Sequence, residues 1–290
     1  DSFFMKTNIL VTGGNGQLGR CIKDLEDDFS DFNISYKNAL ELDIVNKDQV
    51  FQLFKQNKYD WCINCAAYTN VEKAEINVSQ ALNVNQLGAK NIAIACNVKK
   101  TKLIHISTDF VFDGDSTRAY TESDTTNPIN IYGLSKLKGE KEIQNALNEY
   151  FIIRTSWLYS EYGSNFLKTM LRLADKKNKI SVVSDQIGNP TYAKDLANVL
   201  LSIAKADVNN YGIYNYSNNG ETSWHDFASE IFKMSKLQTQ ASPILSSNYP
   251  TQAKRPKYSA LDKTKIKDTF NISIPHWRDS LELAINSINE

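Results

Sequence analysis

The chain has 290 residues, 41% of them hydrophobic and 23% charged, which suffices for a large buried core and excludes a disordered or low-complexity polymer. Lys plus Arg (33) balance Asp plus Glu (33), so no global field exists to hold a nucleic acid or an anionic membrane surface. No stretch has the length and apolarity of a membrane span and none reads as a secretory signal, so a soluble, cytoplasmic protein is expected.

Asp1-Ser2-Phe3-Phe4 precede a natural-looking start at Met5 and read as a remnant of recombinant expression. Ile9-Leu10-Val11 then predict a short buried strand, followed by a glycine-rich turn and a helix over 17–25. A strand at 33–36, a helix at 47–57 with Val50, Phe51, Leu53 and Phe54 at helical spacing, and a strand at 61–67 repeat the pattern. A long helix is expected over 81–98, then a strand at 103–107 and a polar loop over 113–128. Strands alternating with helices require parallel crossovers, hence an α/β fold of the Rossmann type: a doubly wound parallel sheet that binds ligands at the carboxyl ends of its strands.

A helix over 132–147, a strand at 151–158 and a helix at 166–174 come next, after which the alternation becomes irregular. Pro190, Pro243, Pro250, Pro256 and Pro275 punctuate the remainder, whereas Pro128 is the only proline before them, so a smaller, loop-rich second unit is expected there. Cys21, Cys62, Cys65 and Cys96 are scattered in a chain too large to need disulfide staples. Cys62 and Cys65 have redox-motif spacing, but on a strand residues three apart point to opposite faces, so two buried small apolar residues are expected. His105, His225 and His276 lack ligand spacing and read as structural.

Thr12-Gly13-Gly14-Asn15-Gly16-Gln17-Leu18-Gly19 stands between the first strand and the first helix. Gly13 suits a tight turn, Gly16 a close backbone approach to a pyrophosphate and Gly19 close packing of helix on sheet, with the helix N-terminus facing the phosphates. No carboxylate ends the second strand at Ser35-Tyr36-Lys37-Asn38, and Lys37 can meet a 2′-phosphate, which leans toward NADPH while leaving NADH open. Asp43-Ile44 is the next pair able to sit beside the adenine.

Tyr132 and Lys136 lie four apart on a predicted helix, hence on one face. A neighbouring ammonium favours phenolate and draws a phenol toward a useful acid-base range, so Tyr132 is the candidate proton donor. Ser107-Thr108-Asp109, at the carboxyl end of a central strand, offers a hydroxyl to the same substrate oxygen.

With these motifs in place the chain resembles the extended short-chain dehydrogenases/reductases and, within them, the sugar-nucleotide reductases of dTDP-L-rhamnose synthesis. The resemblance rests on 13–19, Asn64-Cys65-Ala66-Ala67-Tyr68-Thr69, 106–112, 130–136, Arg154-Thr155-Ser156-Trp157, 165–170, 185–191 and Arg255-Pro256. It implies hydride transfer from NADPH, or NADH, to C4 of dTDP-4-dehydro-β-L-rhamnose. Tyr132 would be the proton donor, Lys136 the ribose-holding and tuning residue, and Thr108 the stabiliser. Gly13, Gly16, Gln17, Leu18, Gly19, Asp43, Ile44, Ala66, Ala67 and Tyr68 would contact the cofactor, together with Tyr132 and Lys136. Thr108, Asp109, Trp157 and Arg255 would contact the substrate.

The resemblance further implies a cofactor-binding domain, 5–156 plus roughly 191–216, and a sugar-nucleotide domain, roughly 157–190 plus 217–290. Cys21 and Lys194 stand where some relatives place acidic magnesium ligands, so no required metal is expected, and the chain is expected to be a monomer or weak homodimer. Two alternatives carry the same residues: another nucleotide-sugar reductase or epimerase, and a non-catalytic subunit like the partner of methionine adenosyltransferase.

Overall fold

The computed structural model describes residues 5–290; the expected remnant at 1–4 lies outside the described residues. Strands β1 (Thr7–Thr12), β2 (Phe32–Lys37), β3 (Trp61–Asn64), β4 (Lys102–Thr108) and β5 (Tyr150–Thr155) join Gly212–Asn215 in one sheet. Its order is Gly212–Asn215, β5, β4, β3, β1, β2, and every pairing is parallel.

The strands are apolar on both sides because helices cover both faces. Ile9, Val11, Ile63, Ile104 and Ile153 pack against α1 (Gln17–Asp24) and the Ala193–Ala206 helix. Leu10, Cys62, Leu103 and Ile152 face α2 (Lys47–Gln56) and the helices Ala89–Lys99 and Ile131–Ala146. Cys62 and Cys65 accordingly belong to opposite faces, as expected. Chain order runs outward from β1 in both directions, so a crevice opens beyond the carboxyl ends of β1 and β3.

Three expected elements differ. The strand expected at 61–67 stops at Asn64, because Cys65 and Ala66 turn up against Gly13. The helix expected over 81–98 starts at Val78 and passes through a π turn, Asn83–Gly88, before Ala89–Lys99. The strand expected at 151–158 ends at Thr155; Trp157 adopts a left-handed backbone (φ 46°), and Leu158–Tyr159 pairs instead with Thr191–Tyr192.

The remaining sequence builds a separate hydrophobic cluster. Helices Phe166–Ala174, Trp224–Met234 and Trp277–Asn289 enclose Tyr159, Leu167, Tyr192, Phe227 and Trp277, backed by the strand pair Lys179–Val183 and Gln240–Ile244. Its sheets are two-stranded, so aromatic packing rather than a ladder carries this region: Phe227 meets Tyr159, Phe166 and Trp277 at 5.3–5.8 Å between ring centroids. Among the described residues no helix is long and apolar enough to cross a membrane.

Candidate active site

The glycine loop is shaped by what surrounds it. Gly13 has φ +60°, and a Cβ there would stand 2.8 Å from the Ala66 nitrogen, so any other residue would collide with the chain leaving β3. The Gly14 N–H donates to the Lys37 carbonyl (2.9 Å), the Gly16 N–H to the Gly13 carbonyl (3.0 Å) and the Ala66 N–H to the Thr12 hydroxyl (3.2 Å). Gly16 caps α1 with no side chain of its own, leaving the first-turn N–H groups of Gln17, Leu18 and Gly19 aimed into the crevice. Gly16 is the least crowded of these glycines, a Cβ there meeting only the Gly13 carbonyl oxygen at 3.3 Å, and such a bare loop is the shape a pyrophosphate fits.

The other expected cofactor residues surround this loop. Ala66, Ala67 and Tyr68 follow β3, and Tyr68 is pinned by Asn85, which accepts from its N–H (2.8 Å) and donates to its carbonyl (2.9 Å). Asn85 also donates to the Ser135 hydroxyl at 2.9 Å, tying the loop to the Tyr132 helix. Asn85 lies in the π turn, which sequence reasoning missed because one extra residue per turn leaves no periodic signature. Ile44 is buried against Gly88, exposed Asp43 closes its own turn onto Val45, and Lys37 ends β2 beside Gly14.

At the end of β4, Thr108 (4% exposed) accepts from the Phe110 N–H at 3.1 Å and donates to Asp109 at 3.3 Å. Tyr132 is half-buried at the start of its helix, with its ring edge-on to Phe110 at 6.0 Å. The helix comes this close because residue 133 is glycine: a Cβ there would lie 2.1 Å from the Phe110 carbonyl oxygen. Asn130 caps the helix, accepting from the Gly133 N–H (2.7 Å) and donating to the Lys254 carbonyl (2.9 Å).

The electrostatics correct one expectation. Burial pushes the Tyr132 phenol up to about 12, a hydrogen bond from Thr108 draws it down and Asp109 raises it. The physical reason is desolvation of the phenol, while the Lys136 ammonium is engaged by the Ile106 carbonyl on β4, to which it donates at 2.6 Å. Lys136 itself is 3% exposed, and burial brings it down to about 8 against the opposing pull of Glu140 and Cys65. Tyr132 is therefore held as a neutral acid. Burial raises Asp109 to about 7, opposed by the Ser259 and Thr108 hydroxyls, and its Oδ2 is buried without a partner.

Beyond Asp113 and Ile129 a cavity of about 1070 Å³ opens between the two regions, with Phe166 and Trp224 on one wall and Lys254, Arg255 and Lys257 on another. Arg255 is paired there with Glu72, whose carboxylate also accepts from the Gln252 N–H at 2.7 Å. Trp157 stands apart from this lining; one face is covered by Trp224 (centroids 3.6 Å, planes 10° apart). Trp224 and Phe166 thus give the cavity an aromatic wall; Phe166 belongs to the 165–170 segment, whereas Trp224 carried no motif. Cys21 is buried near Lys194, Glu161 and Asp24, and burial lifts its thiol to about 12. Among the described residues, no group of three or more His, Cys, Asp or Glu is placed to hold a metal ion.

A parallel sheet with a switch point at β1 and β3, a glycine loop opening α1 and a Tyr–Lys helix beside the end of β4 define a Rossmann-type reductase or epimerase. The family described as RmlD substrate binding domain matches residues 6–290, and the chain belongs to that family. It is 41% identical over 284 residues to the dTDP-4-dehydrorhamnose reductase of Aggregatibacter actinomycetemcomitans, covering 94% of this chain and 97% of that one. The crystal structure of dTDP-4-dehydrorhamnose reductase from Bacillus anthracis in complex with NADP superposes with a TM-score of 0.94 at 39% identity, covering 98% of this chain and all of that one (100%). UDP-glucose 4-epimerase of Thermus thermophilus shares the fold at TM-score 0.81 and 17% identity, over 98% of this chain and 99% of that one.

Proposed function

We propose that the protein reduces dTDP-4-dehydro-β-L-rhamnose to dTDP-β-L-rhamnose, the last step of dTDP-L-rhamnose synthesis, in the cytoplasm. The observation that carries this reading is the meeting of Thr108, Tyr132 and Lys136 at the carboxyl end of β4, beside a glycine loop shaped for a dinucleotide. The named relatives supply the substrate. NADPH, when bound, supplies the hydride.

The chain's own residues supply alignment and the proton. Gly13, Gly16, Gln17, Leu18 and Gly19 hold the pyrophosphate; Asp43, Ile44, Ala66, Ala67 and Tyr68 line the nucleotide; Lys37 faces a 2′-phosphate. Tyr132, kept protonated by burial, gives its proton to the sugar oxygen as negative charge develops there, and the Thr108 hydroxyl donates to the same oxygen. Lys136 holds the nicotinamide ribose and, on turning from the Ile106 carbonyl toward it, brings its charge to the phenol. Asp109 borders the sugar, Trp157 supports the substrate side by backing Trp224, and Arg255 exchanges Glu72 for the substrate diphosphate.

In this reading 5–156 plus roughly 191–216 form the cofactor domain, and roughly 157–190 plus 217–290 the sugar-nucleotide domain, a division supported by their separate hydrophobic clusters. The protein acts as a monomer or weak homodimer without a required metal. Purified protein mixed with dTDP-4-dehydrorhamnose should oxidise NADPH, and more slowly NADH, with turnover unchanged by EDTA. Absence of NADPH oxidation with this sugar would reject the assignment.

A further inference from the structure

Glu140 has been given no role so far, yet its carboxylate stands where three elements meet. It lies on the Ile131–Ala146 helix one turn beyond Lys136, and its side chain is 1% exposed. Oε1 accepts from Arg154 Nε on β5 (2.9 Å) and from the Ser107 hydroxyl on β4 (2.6 Å), while Oε2 accepts from the other arm of the guanidinium (2.7 Å). Ser107 and Arg154 are register partners across β4 and β5, and Ser107 immediately precedes Thr108.

Stability alone does not account for burying such a pair, since well-packed apolar residues of similar volume serve as well or better. Charge balance at the site does. Arg154 is 3% exposed at its side chain, lies over the Phe112 ring and keeps one guanidinium nitrogen buried without a partner. Without Glu140, the helix face behind Tyr132 would bury two cations, Arg154 and Lys136, with no anion between them. The groups that bear on Lys136 are Cys65 beyond β3, Glu140 on its own helix and His105 on β4, whose ring burial and Lys136 both keep neutral.

We propose that Glu140 is a positioning residue of the reduction: its carboxylate locks the Tyr132 helix to the ends of β4 and β5 and places a buried negative charge one helical turn from Lys136. The kinetic part of this rests on the reductase reading; the titration of Lys136 does not.

Glu140→Gln keeps the size and removes the charge. In the cofactor-free full chain, the Lys136 titration, followed by its ¹³Cε NMR signal and assigned with Lys136→Met, should fall by about one pH unit or more. The alkaline limb of kcat should move down with it, which loss of packing alone would not produce. A folded Glu140→Gln protein whose Lys136 titrates as in the parent overturns the proposal. Should that variant fail to fold, Glu140→Asp keeps the charge on a shorter arm. Its Lys136 should titrate close to the parent value while kcat falls about tenfold or more, because the helix is displaced; parental kcat in Glu140→Asp would equally overturn it. If another sugar is the substrate, the parent itself shows no turnover with the dTDP-sugar, yet the NMR shift in Glu140→Gln stands.

Discussion

The half built on the parallel sheet and the half built around Phe227 and Trp277 present functional groups in different ways. In the first, Gly13, Ala66 and Thr108 sit just past or at the end of successive strands, and Tyr132 sits in the first turn of a following helix. Backbone geometry places them, and a short stretch of sequence is enough to specify each. In the second, Phe166 and Trp224 meet across two helices, and Lys254, Arg255 and Lys257 come from a loop far along the chain. In the proposed function, chemistry belongs to the half with regular geometry and recognition to the half whose loops can vary without disturbing it.

Substitutions in the first half should therefore strike turnover, and those in the second should strike substrate affinity. Tyr132→Phe removes the proposed proton donor and should lower kcat by about 10²–10⁴-fold, leaving NADPH affinity, measured by fluorescence titration, nearly intact. Near-parental turnover would remove Tyr132 from the mechanism. Gly133→Ala places a carbon against the Phe110 carbonyl, a backbone atom that cannot step aside. The helix must shift, so kcat should fall by about a hundredfold, with about 1–3 kcal/mol lost in urea unfolding.

A pH series tests the same half without mutation. Burial depresses Lys136 to about 8, so it is charged below that pH and neutral above. Turnover should fall by up to about tenfold per unit above that point, and an alkaline limb beyond pH 10 would contradict the assignment. In the second half, Trp224→Leu removes an aromatic wall and should raise KM for the nucleotide sugar about fivefold to tenfold, with kcat and NADPH affinity little changed. A pure kcat effect would break the comparison between the halves. The smallest effect is expected for Lys37→Ala: NADPH affinity weakened by about fivefold or less, NADH affinity unchanged, by isothermal titration.

How much was legible follows the same division. The strand–glycine loop–helix unit and the Tyr132–Lys136 pair each depend on neighbours within a few residues, and the structure has them where the spacing put them, whereas the lateral order of the strands appears only in the folded sheet. Cys62 and Cys65 do face opposite clusters as the strand period suggested, although Cys65 lies just past the end of the strand and is only half-buried. The π turn at Asn83–Gly88 was hidden because its residues read as ordinary helix, although Asn85 there joins the Tyr68 loop to Ser135. Trp157 drew attention through its motif, whereas Trp224, equally aromatic, did not; only the folded chain stacks one on the other and turns Trp224 to the cavity.

By itself the sequence determined the fold class and put forward Tyr132, Lys136 and Thr108 as the candidate acid, lysine and hydroxyl, because periodicity and i, i+4 spacing are local and survive without partners. Only the tertiary structure decided their state. Burial raises the Tyr132 phenol, the Ile106 carbonyl accepts from the Lys136 ammonium, and Glu140 and Arg154, fourteen residues apart, meet in one buried pair across a helix and a strand. Those outcomes depend on desolvation and on contacts between distant segments, which no stretch of sequence contains.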